Sequence, residues 1–246
     1  MMKFIPRWVK DYGRKILKNK KILSHEERYY CKYNKDTVLK SIWVGHYLIY
    51  KKMIEFAEKI PTIDLCCGSG AGTKLLSESL RNKAIGIDYS NEAIAYAQAN
   101  NQNSLTTFKK LDLNDFKDLQ KLKKIIFSQK FEQVFFIEGI EHIHNPKKII
   151  STLIESGVKL IFISTPFEKE DQESEGFHIS PFTPSTYKEF SKQFNSKLVC
   201  YAKAMEATKI HEQIRIGVTE SELLKKYFAD KKNLALNYLI LIDNRN

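Results

Sequence analysis

The feature that most constrains this chain is a glycine-rich turn after a short apolar run, in Ile63-Asp64-Leu65-Cys66-Cys67-Gly68-Ser69-Gly70-Ala71-Gly72. Glycine lets a backbone approach a ligand closely, and the N–H groups at the start of the next helix point toward that ligand. A phosphate-binding P-loop ends in Gly-Lys-Ser or Gly-Lys-Thr, whereas this turn ends in Gly72-Thr73-Lys74. The dinucleotide fingerprint GxGxxG needs a third glycine at Thr73. The run therefore predicts a strand, a ligand-binding turn and a helix of another class.

Three acidic residues follow predicted strands at the same edge of a sheet. Asp64 lies at the end of the first strand, Asp88 closes the second and Asp112 closes the third. Asp64 suits a cation, such as the amino group and sulfonium of S-adenosylmethionine (SAM), directly or through water. Asp88 can accept both ribose hydroxyls, and Asp112 with the Leu113 amide can bind the adenine edge. Because ligands bind at the carboxyl ends of strands in open α/β sheets, these residues predict a nucleoside cofactor.

This arrangement resembles the class I, Rossmann-like SAM-dependent methyltransferases over roughly residues 45–200. The family motif is hydrophobic-Asp-hydrophobic-Gly-x-Gly-x-Gly, and Cys66 stands where its first glycine is usual. The resemblance implies SAM as the cofactor and an α/β fold with a doubly wound, mostly parallel seven-stranded sheet. The last strand of that sheet is antiparallel, and Ala235–Ile242 can supply it. The implied cofactor-binding residues are Asp64, Cys66, Gly68, Gly70, Gly72, Asp88, Tyr89, Asp112, Leu113 and Glu138.

From Pro61 onward the chain alternates short apolar runs with helical stretches, the pattern of repeated βα units. The predicted strands are Thr62–Leu65, Ala84–Asp88, Thr106–Lys110, Gln133–Ile137 and Lys159–Ser164. Helices are predicted near Thr73–Leu80, Glu92–Asn100, Asp115–Phe127, Pro146–Ser156 and Pro184–Phe194. Ser90, Asn145 and Thr183 are placed to cap three of these helices. The predicted domains are a basic amphipathic segment at 1–23 and a single methyltransferase domain at 24–246, divided into a helical lead-in at 24–60 and a catalytic core at 61–246.

The positive charge is concentrated at the beginning of the chain. The formal net charge is +11, and residues 1–21 contain eight basic side chains and one acid. The rest of the chain is close to balanced, so a general phosphate-binding surface is not indicated. Apolar residues at near-helical spacing among the lysines leave two interpretations open, a helix on an anionic membrane surface and a helix that packs on the domain.

The expected location is the cytoplasm, with peripheral membrane contact through residues 1–21 as the open alternative. No apolar run reaches the ~18 residues of a transmembrane helix. The four cysteines, Cys31, Cys66, Cys67 and Cys200, have no metal-type spacing, which fits a reducing compartment. The oligomeric state is not predicted.

Residues after the fourth predicted strand indicate the chemistry of the methyl acceptor. Amine methylases of this class often carry an Asn/Asp-Pro-Pro-aromatic motif there, whereas this chain continues as Ile137-Glu-Gly-Ile-Glu-His-Ile143. The absence of that motif favours oxygen over nitrogen as the atom that accepts the methyl group. In a helical turn Glu138, Glu141 and His142 share one face. We predict Glu141, His142 and His178 as catalytic residues, with His178 as a general base that takes the hydroxyl proton.

The same stretch resembles two subfamilies. The first comprises small-molecule and glycan O-methyltransferases, including those of ubiquinone biosynthesis. The second comprises small-RNA 3′-terminal 2′-O-methyltransferases, in which Glu-x-x-Glu-His and a later histidine bind a divalent metal. Four residues match those ligand positions in type and order, and mixed nitrogen and oxygen ligands suit Mn, Fe, Co or Zn. A metal, a metal-free base and a purely structural role stay open for Glu138, Glu141, His142 and His178.

The segment 166–183 is long and polar, and within 167–175 one lysine faces five carboxylates. It follows the fifth strand, where it can form either a lid or a solvated insertion. Its negative charge repels an RNA backbone and favours a neutral or cationic acceptor. The leading prediction is therefore a SAM-dependent O-methyltransferase for a small molecule or glycan precursor. The alternatives are a metal-dependent RNA 3′-terminal 2′-O-methyltransferase and a non-catalytic SAM-binding protein.

Overall fold

The fold is built on one mixed sheet, which the computed structural model describes within residues 44–170, 178–203, 220–229 and 235–245. The strands in chain order are β1 Thr62–Leu65, β2 Ala84–Asp88, β3 Thr106–Lys110, β4 Gln133–Ile137, β5 Leu160–Pro166, β6 Lys197–Lys203, β7 Phe228–Ala229 and β8 Ala235–Asp243. They lie side by side in the order β3-β2-β1-β4-β5-β8-β6-β7. The first five are parallel, and β8 runs antiparallel between β5 and β6.

This topology confirms the predicted Rossmann-like sheet with an antiparallel last strand. The two-residue β7, which pairs with β6 at the sheet edge, adds an eighth strand to the seven predicted. Two residues are too few to give a periodic signal in the sequence. β5 begins one residue later and ends two residues later than predicted, because Thr165 and Pro166 continue the pairing with β8.

Helices cover both faces of the sheet. They are α1 Val44–Ile54, α2 Ala71–Leu80, α3 Asn91–Asn101, α4 Phe116–Gln129, α5 Pro146–Glu155, α6 Pro184–Phe194 and α7 Glu220–Tyr227. The three predicted caps are confirmed. Ser90 accepts from the Ala93 amide at 3.1 Å, Asn145 from Lys148 at 3.0 Å and Thr183 from Thr186 at 3.3 Å. Each cap satisfies an N–H group that has no partner inside its own helix.

The core lies on both sides of the central strands. In β4 the side chains of Val134 and Phe136 belong to one apolar layer, and those of Phe135 and Ile137 belong to the other. All four are buried, as expected for a parallel strand that helices cover on both faces. Packing on both faces holds the central strands in place. The loops that follow the carboxyl ends of the parallel strands lie together along one edge of the sheet.

The helical lead-in is shorter than predicted where the structure describes it. Helix α1 ends at Ile54, well before Pro61, and the chain continues through a turn in which the Phe56 and Ala57 amides donate to Met53 and Ile54 carbonyls. The basic segment 1–23 and the remainder of the lead-in, 24–43, lie outside the described residues. In the part of the chain that is described, no helix is long and apolar enough to cross a membrane.

Candidate cofactor and methyl-acceptor site

The site lies where the sheet reverses its strand order, at the carboxyl ends of β1, β2 and β4. β1 pairs with β2 on one side and with β4 on the other, and the crossovers therefore leave in opposite directions. Such a switch point opens a crevice in which α/β proteins bind ligands. The glycine-rich turn between β1 and α2 lies in this crevice, with Gly70 at the N-cap of α2 and Gly72 in its first turn.

Asp64 is fully buried beneath the glycine-rich turn. Its Oδ1 accepts a hydrogen bond from the Tyr50 hydroxyl at 2.8 Å, and its Oδ2 accepts one from the Thr73 hydroxyl at 2.6 Å. Burial raises the pKa of this carboxyl to about 7, against the two hydrogen bonds that lower it and with the Asp88 charge adding to the increase. Asp64 thus ties α1 to the first turn of α2, and contact with a cofactor cation stays a prediction.

Replacing Asp64 by asparagine is expected to make folding stability less dependent on pH. The folded pKa of Asp64 is raised, so the native state binds more protons than the unfolded chain between about pH 4 and pH 7. Wild-type stability therefore falls as pH rises through that window, by up to roughly 4 kcal/mol from this group. Urea unfolding of both proteins should give a stability difference, variant minus wild type, that grows from pH 4 to pH 7.

The matched control is Asp118→Asn. The Asp112 backbone N–H and the Lys121 ammonium lower the Asp118 pKa, so this carboxyl is ionised in both states above about pH 5. The stability difference between this variant and wild type should stay flat from about pH 5 to pH 7, where the Asp64→Asn difference still grows. A flat difference for Asp64→Asn as well would contradict the assigned burial of its charge.

Gly70 occupies a position that no larger residue fits. Its φ is +78°, and a Cβ there would lie 2.5 Å from the Phe108 ring and 2.7 Å from the Ala97 Cβ. The backbone of the turn therefore packs directly on α3 and β3. Gly68 also has a positive φ, and Asn101 holds the turn by donating to the Ser69 carbonyl at 2.8 Å. The turn is a rigid, backbone-lined surface of the kind that binds a ligand closely.

Gly70→Ala is expected to destabilise the protein by about 2–5 kcal/mol, the sum of left-handed strain and overpacking. Gly157→Ala separates the two causes, because Gly157 has a φ of +100° and no atom lies within 4 Å of the place its Cβ would take. That control should cost only about 1–2 kcal/mol. Urea unfolding measures both, and equal losses would mean that Gly70 is not packed as described.

Asp88 holds the turn from the end of β2. One carboxylate oxygen accepts from the Gly68 amide at 2.9 Å, and the other accepts from the Ser90 amide at 3.0 Å. Its side chain is buried, and each carboxylate oxygen can accept more than one hydrogen bond. Asp88 therefore both shapes the turn and offers the acceptors that a ribose diol needs.

The other predicted adenosine contacts flank Asp88. Tyr89 is 51% exposed directly after it, and the Leu111 amide donates to the Asp88 carbonyl at 3.0 Å. Asp112 does not close β3 as predicted, since the strand ends at Lys110 and Asp112 lies in the following turn. There its carboxylate accepts from the Asn114 amide at 2.8 Å, and the Leu113 side chain is buried. The adenine contacts of Asp112 and Leu113 stay predictions.

Cys66 connects the glycine-rich turn, residues 66–72 and called the cofactor turn from here on, to the segment after β4. Its φ is +57°, and a Cβ on Gly139 would lie 2.6 Å from the Cys66 Cβ. The cysteine therefore fills the space that Gly139 leaves open. Burial raises the pKa of the Cys66 thiol well above its usual value, with nearby carboxylates adding to the effect. The Cys66 thiol therefore stays neutral. Its contact with Gly139 places the turn after β4 directly against the cofactor turn.

Glu138 lies outside the group that the other three predicted metal ligands form, and a metal role for any of the four stays a prediction. The backbone of Glu138 has a φ of +49°. Its carboxylate accepts hydrogen bonds from the Ser164 hydroxyl and, at 2.7 Å, from the side-chain amide of Asn237. Burial raises its pKa to about 7, and those two bonds lower it. The left-handed backbone places Glu138 outside the short 3₁₀ turn Ile140–His142, so the helical spacing does not apply.

Glu141, His142 and His178 do come together, in an arrangement called here the acceptor cluster. Their ligating atoms all lie within 4.8 Å of one another. The rings of His142 and His178 meet edge to face with centroids 5.2 Å apart. Hydrogen bonds from the Ser180 amide to the Glu141 carbonyl, at 2.9 Å, and from the Ser180 hydroxyl to the Ile143 carbonyl, at 2.7 Å, fix the segment that carries His178.

Glu141 is the most deeply buried member of the acceptor cluster, and its Oε2 has no hydrogen-bond partner among the described residues. Burial raises the pKa of Glu141 well above its usual value, and the charge of Glu138 adds to this. The nearest His142 nitrogen lies 3.9 Å from its other oxygen, beyond hydrogen-bond range. The Thr165 hydroxyl is close enough to lower the Glu141 pKa, against the effect of burial. A buried carboxyl oxygen without a hydrogen-bond partner is costly, so a catalytic or ligand-binding role for Glu141 stays a prediction.

Thr73, Asn237 and Glu168 are among the residues of the site that the sequence does not predict. Thr73 and Asn237 donate to Asp64 and Glu138, and Glu168 accepts from His178 Nδ1 at 2.9 Å in the tautomer that protonates that nitrogen. Asn237 has a detectable signal, since it is a polar residue inside the apolar run of β8. Glu168 has none, because it is one of five similar acids in the segment 166–183.

A family model described as a methyltransferase domain matches residues 56–235. No curated protein matches the chain significantly. Many solved structures do match it.

Three solved structures illustrate the likeness. A chain of the complex between the Trm112 methyltransferase activator of Haloferax volcanii and a methyltransferase has a TM-score of 0.60 at 14% identity, covering 92% of this chain and 100% of its own. A SAM-dependent methyltransferase from Anabaena variabilis has 0.54 at 15% identity, covering 96% and 93%. The plantazolicin methyltransferase BamL, solved with a substrate analogue and S-adenosylhomocysteine, has 0.52 at 15% identity, covering 98% and 92%. At these identities the likeness concerns the fold.

Proposed function

The chain belongs to the methyltransferase-domain family, and from that membership we propose that it is a SAM-dependent O-methyltransferase acting on a hydroxyl of a small molecule or glycan precursor. The observation that carries the proposal is the acceptor cluster. Two partly exposed imidazoles and a buried carboxyl lie on the segments that follow β4 and β5, next to the cofactor turn. An imidazole in that position can take the proton of a hydroxyl acceptor.

The residues of the cofactor turn fit the adenosine and methionine parts of SAM. Asp88 carries carboxylate oxygens that can accept the ribose hydroxyls, and Tyr89 offers an exposed ring for the adenine. Gly68 and Gly70 provide backbone at close range, and Asp64 and Glu138 are the carboxyl groups that would hold the amino group, directly or through water. When bound, SAM supplies a methyl group on a sulfonium sulfur, which keeps the bonding electrons when the methyl departs.

The protein contributes orientation and proton removal. A hydroxyl oxygen is a weak nucleophile while it keeps its proton, and a positioned base adds on the order of 10²–10⁴ in rate. His178 is the candidate base, because its Nδ1 pairs with Glu168, and in the tautomer with the proton on Nδ1 its Nε2 is the nitrogen that can take a proton. The exposed Ile179 beside it offers an apolar contact for the body of that acceptor.

The acceptor class follows from the charges around the acceptor cluster. Glu168 pairs with His178, and Glu170 lies on the same segment, which holds five carboxylates and one lysine within 167–175. This concentration of acids disfavours a phosphate backbone and favours a neutral or cationic molecule.

A metal-dependent RNA 2′-O-methyltransferase is the second candidate. One observation favours it, the unpartnered Glu141 Oε2 beside two histidines, which together offer three metal ligands. The diversion of Glu138 to Ser164 and Asn237 counts against it, because a fourth ligand is then missing. A metal at this site would be bound by Glu141, His142 and His178 and would polarise the acceptor oxygen.

Removal of divalent metal is expected to leave activity unchanged. The full chain is dialysed against a chelator, its metal content is measured, and turnover is compared before and after. Retained turnover in metal-free protein fits a histidine base. A loss that one added divalent metal restores would favour the second candidate.

An acceptor panel tests the proposed function itself. The full chain is incubated with methyl-labelled SAM and, separately, with free and nucleotide-linked sugars, quinol precursors and a small RNA with a free 3′-terminal 2′-hydroxyl. Label is expected in a small-molecule fraction. Label in RNA alone would overturn the proposal, and SAM binding without transfer to any class would favour a non-catalytic protein.

A further inference from the structure

A hydrogen bond joins His178 of the acceptor cluster to Glu168, which lies ten residues earlier in the segment after β5. His178 Nδ1 and Glu168 Oε1 are 2.9 Å apart, and both side chains are only 13% exposed. The Glu168 amide donates to the Phe182 carbonyl at 3.3 Å, so the backbone is held on both sides of the pair. Glu168 and His178 therefore meet in a fixed geometry.

We propose that Glu168 is a positioning residue for His178. Resting on the proposed function, this proposal adds a residue that acts through the base. An ionised carboxylate only accepts hydrogen bonds, so Glu168 requires the proton on Nδ1 and leaves a bare lone pair on Nε2. A base held by a third group in this way is the general arrangement of activated acid–base sites. The acceptor hydroxyl then gives its proton to Nε2 while its oxygen bonds the methyl carbon.

The pair differs from an ordinary surface ion pair in burial and in context. Exposed pairs contribute little, because solvent screens them and the side chains lose entropy. Glu168 and His178 are largely shielded, and the ring of His142 packs against His178 at 5.2 Å between centroids. The Glu168 carboxylate holds one nitrogen of the His178 ring, and the His142 ring packs against it. The His178 ring therefore has one orientation, as a general base requires.

Glu170 provides a matched control two residues away. Its carboxylate accepts hydrogen bonds from the Ser185 amide at 2.7 Å and from the Ser185 hydroxyl at 2.9 Å, at the start of α6. Replacing that carboxylate changes the charge of the same segment while the hydrogen bond between Glu168 and His178 is kept. An effect specific to Glu168 is therefore distinguishable from a general change in the segment.

The first test is the tautomer of His178, read by ¹⁵N NMR of the full chain labelled at histidine, without any acceptor. The His178 signals are those missing in His178→Asn. In wild type at pH 8 we expect Nδ1 protonated and Nε2 bare. This preference should be lost in Glu168→Ala, weakened in Glu168→Gln, whose amide can either accept from Nδ1 or donate to it, and kept in Glu170→Gln. A wild-type His178 with Nε2 protonated, or one insensitive to Glu168, overturns the proposal.

The second test is a kinetic double-mutant cycle with whichever molecule takes label in the panel. Glu168→Gln should lower kcat by about 10- to 100-fold with KM changed less than about 3-fold, and should add nothing to His178→Ala. Independent, additive losses overturn the proposal. If no molecule takes label, the proposed function fails, while the NMR result still decides whether Glu168 sets the tautomer.

Discussion

Asp88→Asn is expected to weaken SAM binding by about 100-fold. The carboxylate accepts the Gly68 and Ser90 amides, and its oxygens can accept further bonds from the ribose hydroxyls. The side-chain nitrogen of asparagine can only donate a hydrogen bond. Where it replaces a carboxylate oxygen of Asp88, it therefore faces another donor and the bond is lost. Charge-assisted hydrogen bonds contribute about 1.5–3 kcal/mol each, and 2.7 kcal/mol corresponds to about 100-fold in affinity. Calorimetric titration with SAM measures the change.

Glu92→Gln is the matched control for this variant. Glu92 is an exposed carboxylate in the first turn of α3, where it accepts from the Ser90 hydroxyl at 3.0 Å. It lies close to Asp88 in the chain but does not hold the glycine-rich turn. Its replacement should change SAM affinity by less than about 3-fold. Equal, small effects of both variants would remove Asp88 from the cofactor site.

His178→Ala is expected to abolish most turnover while SAM still binds. The imidazole is assigned to proton removal, which contributes on the order of 10²–10⁴ in rate, and it makes no assigned contact with the cofactor. We therefore expect kcat to fall by that factor with the SAM dissociation constant within about 3-fold of wild type. The two quantities come from labelled-methyl turnover and from calorimetry on the same preparations.

The control for this variant is His144→Ala. His144 lies two residues after His142, is exposed, and takes part in the fold through its backbone amide, which donates to Asn114 at 2.9 Å. Replacing it removes an imidazole from the same segment without entering the acceptor cluster. Unchanged turnover in both variants would show that His178 is not the base, and a parallel loss of SAM binding in His178→Ala would give it a cofactor role instead.

The sheet and the cofactor turn are predictable because their signals are local. Strands β1, β2 and β4 are short, largely apolar runs, and the predicted bounds of β1, β2, β3 and β4 match the structure. Gly70 lies in the predicted ligand-binding turn, where its positive φ favours glycine. Chain pattern and local backbone chemistry therefore fix the fold and one half of the site.

The acceptor side is less predictable because it depends on contacts between distant segments. Spacing alone puts Glu138 on one helical face with Glu141, but its left-handed backbone and its hydrogen bond to Asn237, 99 residues later, draw it away. Likewise, only the return of the chain after β5 identifies which of several acids meets His178. Residue spacing carries no information about either partner, so tertiary packing decides both.

The same contacts explain why the lead-in helix matters to the site. Tyr50 extends from α1 to donate to Asp64, and its ring stacks on Phe135 in the core. The sequence predicts this segment only as a helical lead-in, so it does not indicate the hydrogen bond from the Tyr50 hydroxyl.

The most direct test of the central claim is the kind of bond that the transferred methyl group forms. The full chain is given SAM with a ¹³C-labelled methyl group and the molecule that takes label in the panel, and the product is examined by NMR, which separates methyl carbons bound to oxygen, nitrogen and sulfur. We predict an oxygen-bound methyl that disappears in His178→Ala and persists in His144→Ala. A methyl bound to nitrogen, or an oxygen-bound methyl formed equally well without His178, would contradict the proposed function.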